Sequence, residues 1–205
     1  MGILGGLFKG SQERGPSVMQ VLDAEREQYL SVYLRGIADA KTEHELAVPE
    51  VKVEMSDEKL PKGYRYYTVD IFCRDGEKAG PVEVNLKAAE SFEPINENWQ
   101  GLDVTLHPFV WNGLEFRVDG DLSDDATLVR WMMKWMDIED KKTKDENLLS
   151  GIVHNVTPPE RTKNGWSFSV DFGSAPLDAF VELIEVIRTA GAKIMQLGSF
   201  RGRAT

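Results

Sequence analysis

Trp111-Asn112-Gly113-Leu114-Glu115-Phe116-Arg117-Val118-Asp119, followed by Ser123-Asp124-Asp125 and an apolar run to Met136, is the stretch from which the architecture of this chain is read. It recurs 52 residues later, where Asn164-Gly165-Trp166-Ser167-Phe168-Ser169-Val170-Asp171 leads through Ser174-Ala175-Pro176 into an apolar run ending near Ile187. Asn, Gly, Phe, Val and Asp coincide without a gap. Leu128, Val129, Trp131, Met132 and Trp135 fall on Phe180, Val181, Leu183, Ile184 and Ile187.

Each copy reads as turn, strand and helix. Asn-Gly takes the positive φ angles of a tight hairpin turn. Leu114, Phe116 and Val118 then alternate with Glu115, Arg117 and Asp119, the period of a strand with one buried face. Ser123, Asp124 and Asp125 offer an N-cap and carboxylates for the positive end of a helix dipole. In the second copy Trp166, Phe168, Val170 and Phe172 alternate with polar residues, Ser174 is the expected cap, and Pro176 sits in the first turn. With Leu102–His107 and Ile152–Val156 as the preceding strands, the pattern is a tandem ββα duplication.

Working outward, Pro16-Ser17 opens a helical pattern to about Lys41, with Val18, Leu22, Tyr29, Tyr33 and Ile37 on one stripe. Glu43 to Lys62 reads as an acidic connector with a short edge strand at Val51–Val53. Tyr64–Arg74 and Val82–Lys87 read as a hairpin turning at Asp75-Gly76, and Ala88–Gln100 as an irregular crossing. Asp137–Asn147 mixes both charges and reads as a solvated face. Ala190-Gly191-Ala192 ends the last helix before a final strand at Ile194–Leu197. The expected fold is α+β, with antiparallel sheets of about six strands and three helices. Residues 1–15 form a tail. Residues 16–100 form a helix-and-hairpin layer, continuous with the duplicated pair at 101–200.

Composition narrows the function classes. Hydrophobic and charged contents of 41% and 28% are those of a globular protein. A formal net charge of −10 argues against nonspecific contact with nucleic acid or an anionic membrane and allows a basic protein partner. The apolar runs are too short to span a bilayer. The single cysteine, Cys73, fits a reducing compartment such as the cytoplasm. The N-terminal sequence has neither a signal-length apolar core nor Ser or Thr at position 6 for myristoylation. Oligomeric state is not encoded in any pattern found.

No phosphate loop, nucleophile elbow or His-Glu-x-x-His spacing occurs, and no cofactor motif is recognised. Cys73 alternates with Ile71 and Val69, which places it in the core. Two candidate sites remain. Trp99, Trp111, Trp131 and Trp135 are candidate anchors for a protein partner. His107, His154, Asp119 and Asp171 form a candidate metal set if they converge, with both aspartates expected on the solvent side of their strands. The sequence therefore favours an acidic, non-enzymatic binding or regulatory protein of the inhibitor or immunity kind. The alternative is a hydrolase or small-ligand-binding enzyme whose site is assembled only in three dimensions.

Overall fold

The computed structural model of the protein describes residues 15–57, 59–84, 91–123 and 126–200. Within them the chain is a mixed α+β structure with three α-helices and two mostly antiparallel sheets, one of three strands and one of seven. Residues 1–14 of the expected N-terminal tail, the residues from Asn85 to Lys87 of the expected second hairpin strand, and Asp124 and Asp125 lie outside the described residues. No helix among the described residues is long and apolar enough to cross a membrane.

Helix α1 (Val18–Glu43) starts where the sequence places it. Ser17 and Gln20 form a reciprocal capping box, satisfying two backbone N–H groups that the first turn would leave unpaired. Its apolar stripe of Val18, Leu22, Tyr29, Tyr33 and Ile37 is buried. The acidic connector is in fact a nine-residue strand, β1 (Leu46–Glu54), at the edge of the smaller sheet. An edge tolerates Pro49, which lacks an N–H. β1 pairs with β2 (Tyr66–Asp75), which turns through Gly76 into β3 (Lys78–Val82). The return strand thus starts earlier than its alternation suggests, because the turn is tight.

The seven-stranded sheet contains β4 (Ile95–Trp99), β5 (Leu102–Leu106), β6 (Leu114–Val118), β7 (Asn155–Val156), β8 (Glu160–Thr162), β9 (Gly165–Asp171) and β10 (Ile194–Gly198). The segment read as an irregular crossing supplies β4, which pairs with β5. Helices α2 (Ala126–Trp135) and α3 (Leu177–Thr189) pack on this sheet. The strand order β4-β5-β10-β6-β9-β7 corrects the expected ββα repeat. β5 does not pair with β6, because β10 lies between them, parallel to β5 and antiparallel to β6. Nor is Trp111-Asn112-Gly113 a positive-φ hairpin turn: it is a short 3-10 turn with Asn112 at φ −85°.

The echoed stretches belong instead to β6-α2 and β9-α3. β6 and β9 are antiparallel neighbours, and Phe116 lies opposite Phe168 with ring centroids 4.9 Å apart. β7, which follows α2, pairs with β9; β10, which follows α3, pairs with β6. Each half is therefore a βαβ unit whose two strands are separated by a strand of the other. This is the split βαβ topology of ferredoxin-like folds.

Helices occupy one face of this sheet, over Leu102, Val104, Leu106, Leu114, Phe116, Phe168 and Val170. The opposite face carries Asn96, Asn98, Asp103, Thr105, Glu115, Arg117, Ser167, Ser169 and Gln196, all exposed or half-buried. One apolar and one polar face is the ordinary arrangement for an antiparallel sheet covered on one side. Helix α1 ties the two sheets together: Arg26 Nε donates to the Ala175 carbonyl at 2.8 Å, and the Tyr33 hydroxyl to the Asp70 carbonyl at 2.7 Å.

Candidate functional site

Where the small sheet meets the β7 edge of the large one, the chain gathers ionisable groups from four separate segments. Glu50 and Asp70 lie opposite each other across β1 and β2, where the strand register places Pro49 against Ile71 and Val51 against Val69. Glu50 has a positive φ of 53°, a kink that interrupts the ladder at this point. His154 stands just before β7, and its carbonyl accepts the Thr68 N–H at 2.8 Å, linking the sheets. Asp171 ends β9.

His154 lies between two carboxylates. Its Nδ1 is 3.0 Å from Asp70 Oδ1 and its Nε2 is 3.2 Å from Glu50 Oε1. The His154 and Glu50 side chains are almost fully enclosed, and that of Asp70 retains 12% of its exposure. Burial alone would hold the imidazole neutral. The bonds to Asp70 and Glu50 and the charge of Asp171 outweigh it, pushing the pKa up to about 10. Burial likewise opposes ionisation of Glu50, but bonds from His154, the Ser174 hydroxyl and the Ser150 N–H keep its pKa below the usual range. Asp171 is the exception. Its burial and the nearby Asp70 charge outweigh His154, raising its pKa to about 6.

The surroundings hold these groups in place. The Val84 N–H donates to Asp70 Oδ2 and the Gly173 N–H to Asp171 Oδ1, each at 2.9 Å. Ser174, expected to cap α3, instead donates to Glu50 and accepts the Ile152 N–H, and Pro176 takes the cap position. A Cβ on Gly173 would lie 2.1 Å from the His154 ring, so glycine leaves room for the imidazole. Tyr33 stacks edge-on to His154 at 5.8 Å, and Tyr29 lies 5.5 Å beyond Tyr33. On the other side Asp171, with Asn155, Thr157, Ser169 and Glu115, lines a cleft of about 400 Å³.

Of the four expected metal ligands, His154 and Asp171 are brought together. His107 is half-buried against Phe200 at 5.3 Å. Asp119 is exposed and accepts the N–H groups of Lys193 and Ile194. Asp171 is half-buried, with His154 on one side and the cleft on the other. Glu50 and Asp70 were not anticipated. Their signal is a single acid inside an otherwise apolar strand, as in Val69-Asp70-Ile71-Phe72-Cys73.

Three of the four candidate aromatic anchors belong to the core. Trp111 is fully buried, with its indole N–H on the Gly173 carbonyl and its ring 4.9 Å from Phe172. Trp131 and Trp135 are buried too, donating to Ala179 and Glu182. Only Trp99 is half-buried, bonded to Glu97 and edge-on to Phe180. Cys73 is buried as expected, and burial pushes its thiol pKa up. Asp137 also differs from its solvated reading: it is buried, accepts the Lys141 and Lys142 N–H groups, and pairs with Lys52 of β1.

Comparison of the chain with known protein families, with curated proteins and with solved structures gives no match. Function is therefore argued from the site and surfaces themselves, since a split βαβ topology hosts many unrelated functions.

Proposed function

We propose that this protein is a non-enzymatic binding and regulatory protein, acting in the cytoplasm on another protein that presents a basic face. The observation behind this reading is the helix-free, polar face of the seven-stranded sheet. Asp103 and Glu115 lie on it, Glu115 paired with Arg117, with Asp119, Glu160 and Lys163 at its margins, and the whole chain carries a net charge of −10. Such a field speeds encounter with a basic surface and repels nucleic acid. With Trp111, Trp131 and Trp135 in the core, the contact is polar and salt-dependent rather than aromatic-anchored.

The test is site-specific photo-cross-linking in extract of the source cell. A probe at Ser167 or Gln196 should trap a basic protein, with less adduct at high salt, whereas a probe at Asp39 on α1 should not. Lysine at Asp103 and Glu115 should lower affinity for that protein about tenfold, mainly through slower association. Adducts of equal yield from both faces, or none from the sheet, would remove this reading.

A second reading, a small-ligand-binding enzyme, draws on the convergence of Glu50, Asp70, His154 and Asp171 beside the cleft. Groups that perturb one another's pKa beside a cleft are a common mark of a functional site. A metabolite library that raises the melting temperature of wild-type protein but not of Thr157→Val or Ser169→Ala would favour it over the first.

A further inference from the structure

We propose that Asp70, His154 and Asp171 form a binding site for one divalent cation of the zinc and manganese class. This inference depends on neither functional reading above.

A nitrogen of His154 and one carboxylate oxygen each of Asp70 and Asp171 all lie within 4.8 Å of one another. Small side-chain movements would bring three atoms so placed to the bond lengths of about 2.0–2.2 Å that Zn²⁺ makes to nitrogen and oxygen. Two carboxylates and one imidazole suit a borderline cation, whereas Ca²⁺ takes an all-oxygen set. Because Nδ1 faces Asp70 and Nε2 faces Glu50, the geometry assigns Nδ1 to the cation and leaves Nε2–H to donate to Glu50. A ligating histidine that gives its second N–H to a carboxylate is the usual outer arrangement of such sites. The other ligands are oriented in the same way, Asp70 by the Val84 N–H and Asp171 by the Gly173 N–H.

Two observations are left over when the cluster is read only as an ion pair. Three carboxylates surround a single imidazolium, so negative charge is in excess in a largely enclosed place, where uncompensated charge is unfavourable. Furthermore, the Tyr29 hydroxyl is buried and has no hydrogen-bond partner among the described residues. Tyr29 is 1% exposed, and its ring lies 5.5 Å from that of Tyr33, which in turn meets the His154 ring edge-on at 5.8 Å. A cation eases both: in displacing the imidazole proton it adds one net positive charge to the cluster, and a water on its open side is a candidate partner for Tyr29. The cleft lined by Asp171 is the route in.

The test uses the full chain, stripped with a chelator and titrated with Zn²⁺, Mn²⁺ or Co²⁺ by calorimetry and equilibrium dialysis. One equivalent should bind, raise the melting temperature, and give Co²⁺ ligand-field bands. Asp171→Asn and Asp70→Asn, folded by circular dichroism, should abolish the bands and weaken binding more than tenfold. Glu50→Gln, a positioning change, should weaken it about 10- to 100-fold. The two aspartate variants decide without any change at the buried His154, because Asp70 and Asp171 are only half-buried. The proposal is overturned if folded wild-type protein takes up none of the three ions saturably, or if uptake survives both aspartate substitutions unchanged.

Discussion

The two βαβ halves of the large sheet start from nearly the same local sequence and end in different chemistry. Asp119 and Asp171 each follow Phe-x-Val at the end of a central strand, 52 residues apart. Asp119 stays in solvent and caps the backbone of Lys193 and Ile194. Asp171 joins His154, Asp70 and Glu50 in a buried network. Nothing in either repeat dictates this. The difference comes from the three-stranded sheet, which sits at one end of the large sheet and supplies Asp70 and Glu50. A repeated pattern thus fixes a strand and its buried face, while the neighbour packed on it decides what its polar residues do.

The largest expected effect comes from breaking the network at its centre. His154→Ala would leave Glu50 and Asp70 without their cationic partner and should destabilise the protein by about 3–5 kcal/mol. His107→Ala, at the histidine that follows β5 and packs against Phe200, should cost about 1 kcal/mol. Urea denaturation of the two variants measures the contrast directly. Equal losses would mean that the network contributes no more than ordinary packing.

Two positive-φ glycines differ in what surrounds them. Gly173 has a positive φ of 48° and sits against the His154 ring, whereas Gly191 has a φ of 87° and nothing within 4 Å of an added Cβ. Gly191→Ala should cost about 1–2 kcal/mol, from backbone strain alone. Gly173→Ala should cost about 2–4 kcal/mol, because displacement of the imidazole adds to that strain.

The last contrast is a pH dependence, measured on metal-free protein. His154 is flanked by Asp70, Glu50, Asp171 and Tyr33. Its folded pKa of about 10 lies above the 6.5 of an ordinary imidazole. Its stabilisation is therefore complete below pH 6.5 and is lost as pH rises towards 10. Asp171, raised from 3.8 to about 6, has the same sign: its ionisation weakens the fold as pH rises through that interval. Glu50 has the opposite sign, its contribution being lost as pH falls below 4.5. Above pH 6, Asp171→Asn should thus gain about 1–2 kcal/mol, while Asp119→Ala should lose about 1 kcal/mol with the bonds from the Lys193 and Ile194 N–H groups. Stability curves from pH 4 to 10 separate the two. A loss for Asp171→Asn at pH 8 would show that its charge is favourably compensated.

By itself the sequence determined the local elements. The buried stripe of α1, its Ser17 cap, the alternating faces of β5, β6 and β9, the apolar runs of α2 and α3 and the core position of Cys73 all follow from periodicity and capping. These are short-range properties, carried by residues a turn or a pleat apart. Only the tertiary structure decided which strands are neighbours. The echo around Phe116 and Phe168 falls on two strand–helix segments, β6-α2 and β9-α3, but could not show that β10 would insert beside β6. Strand pairing depends on which apolar faces meet after α3 has crossed the sheet. The same reason hid the site. Trp111 has the sequence of a loop aromatic, yet Phe172 and Gly173 enclose it. Glu50 and Asp70 carry their chemistry only because β1 and β2 deliver them to His154, 104 and 84 residues away along the chain.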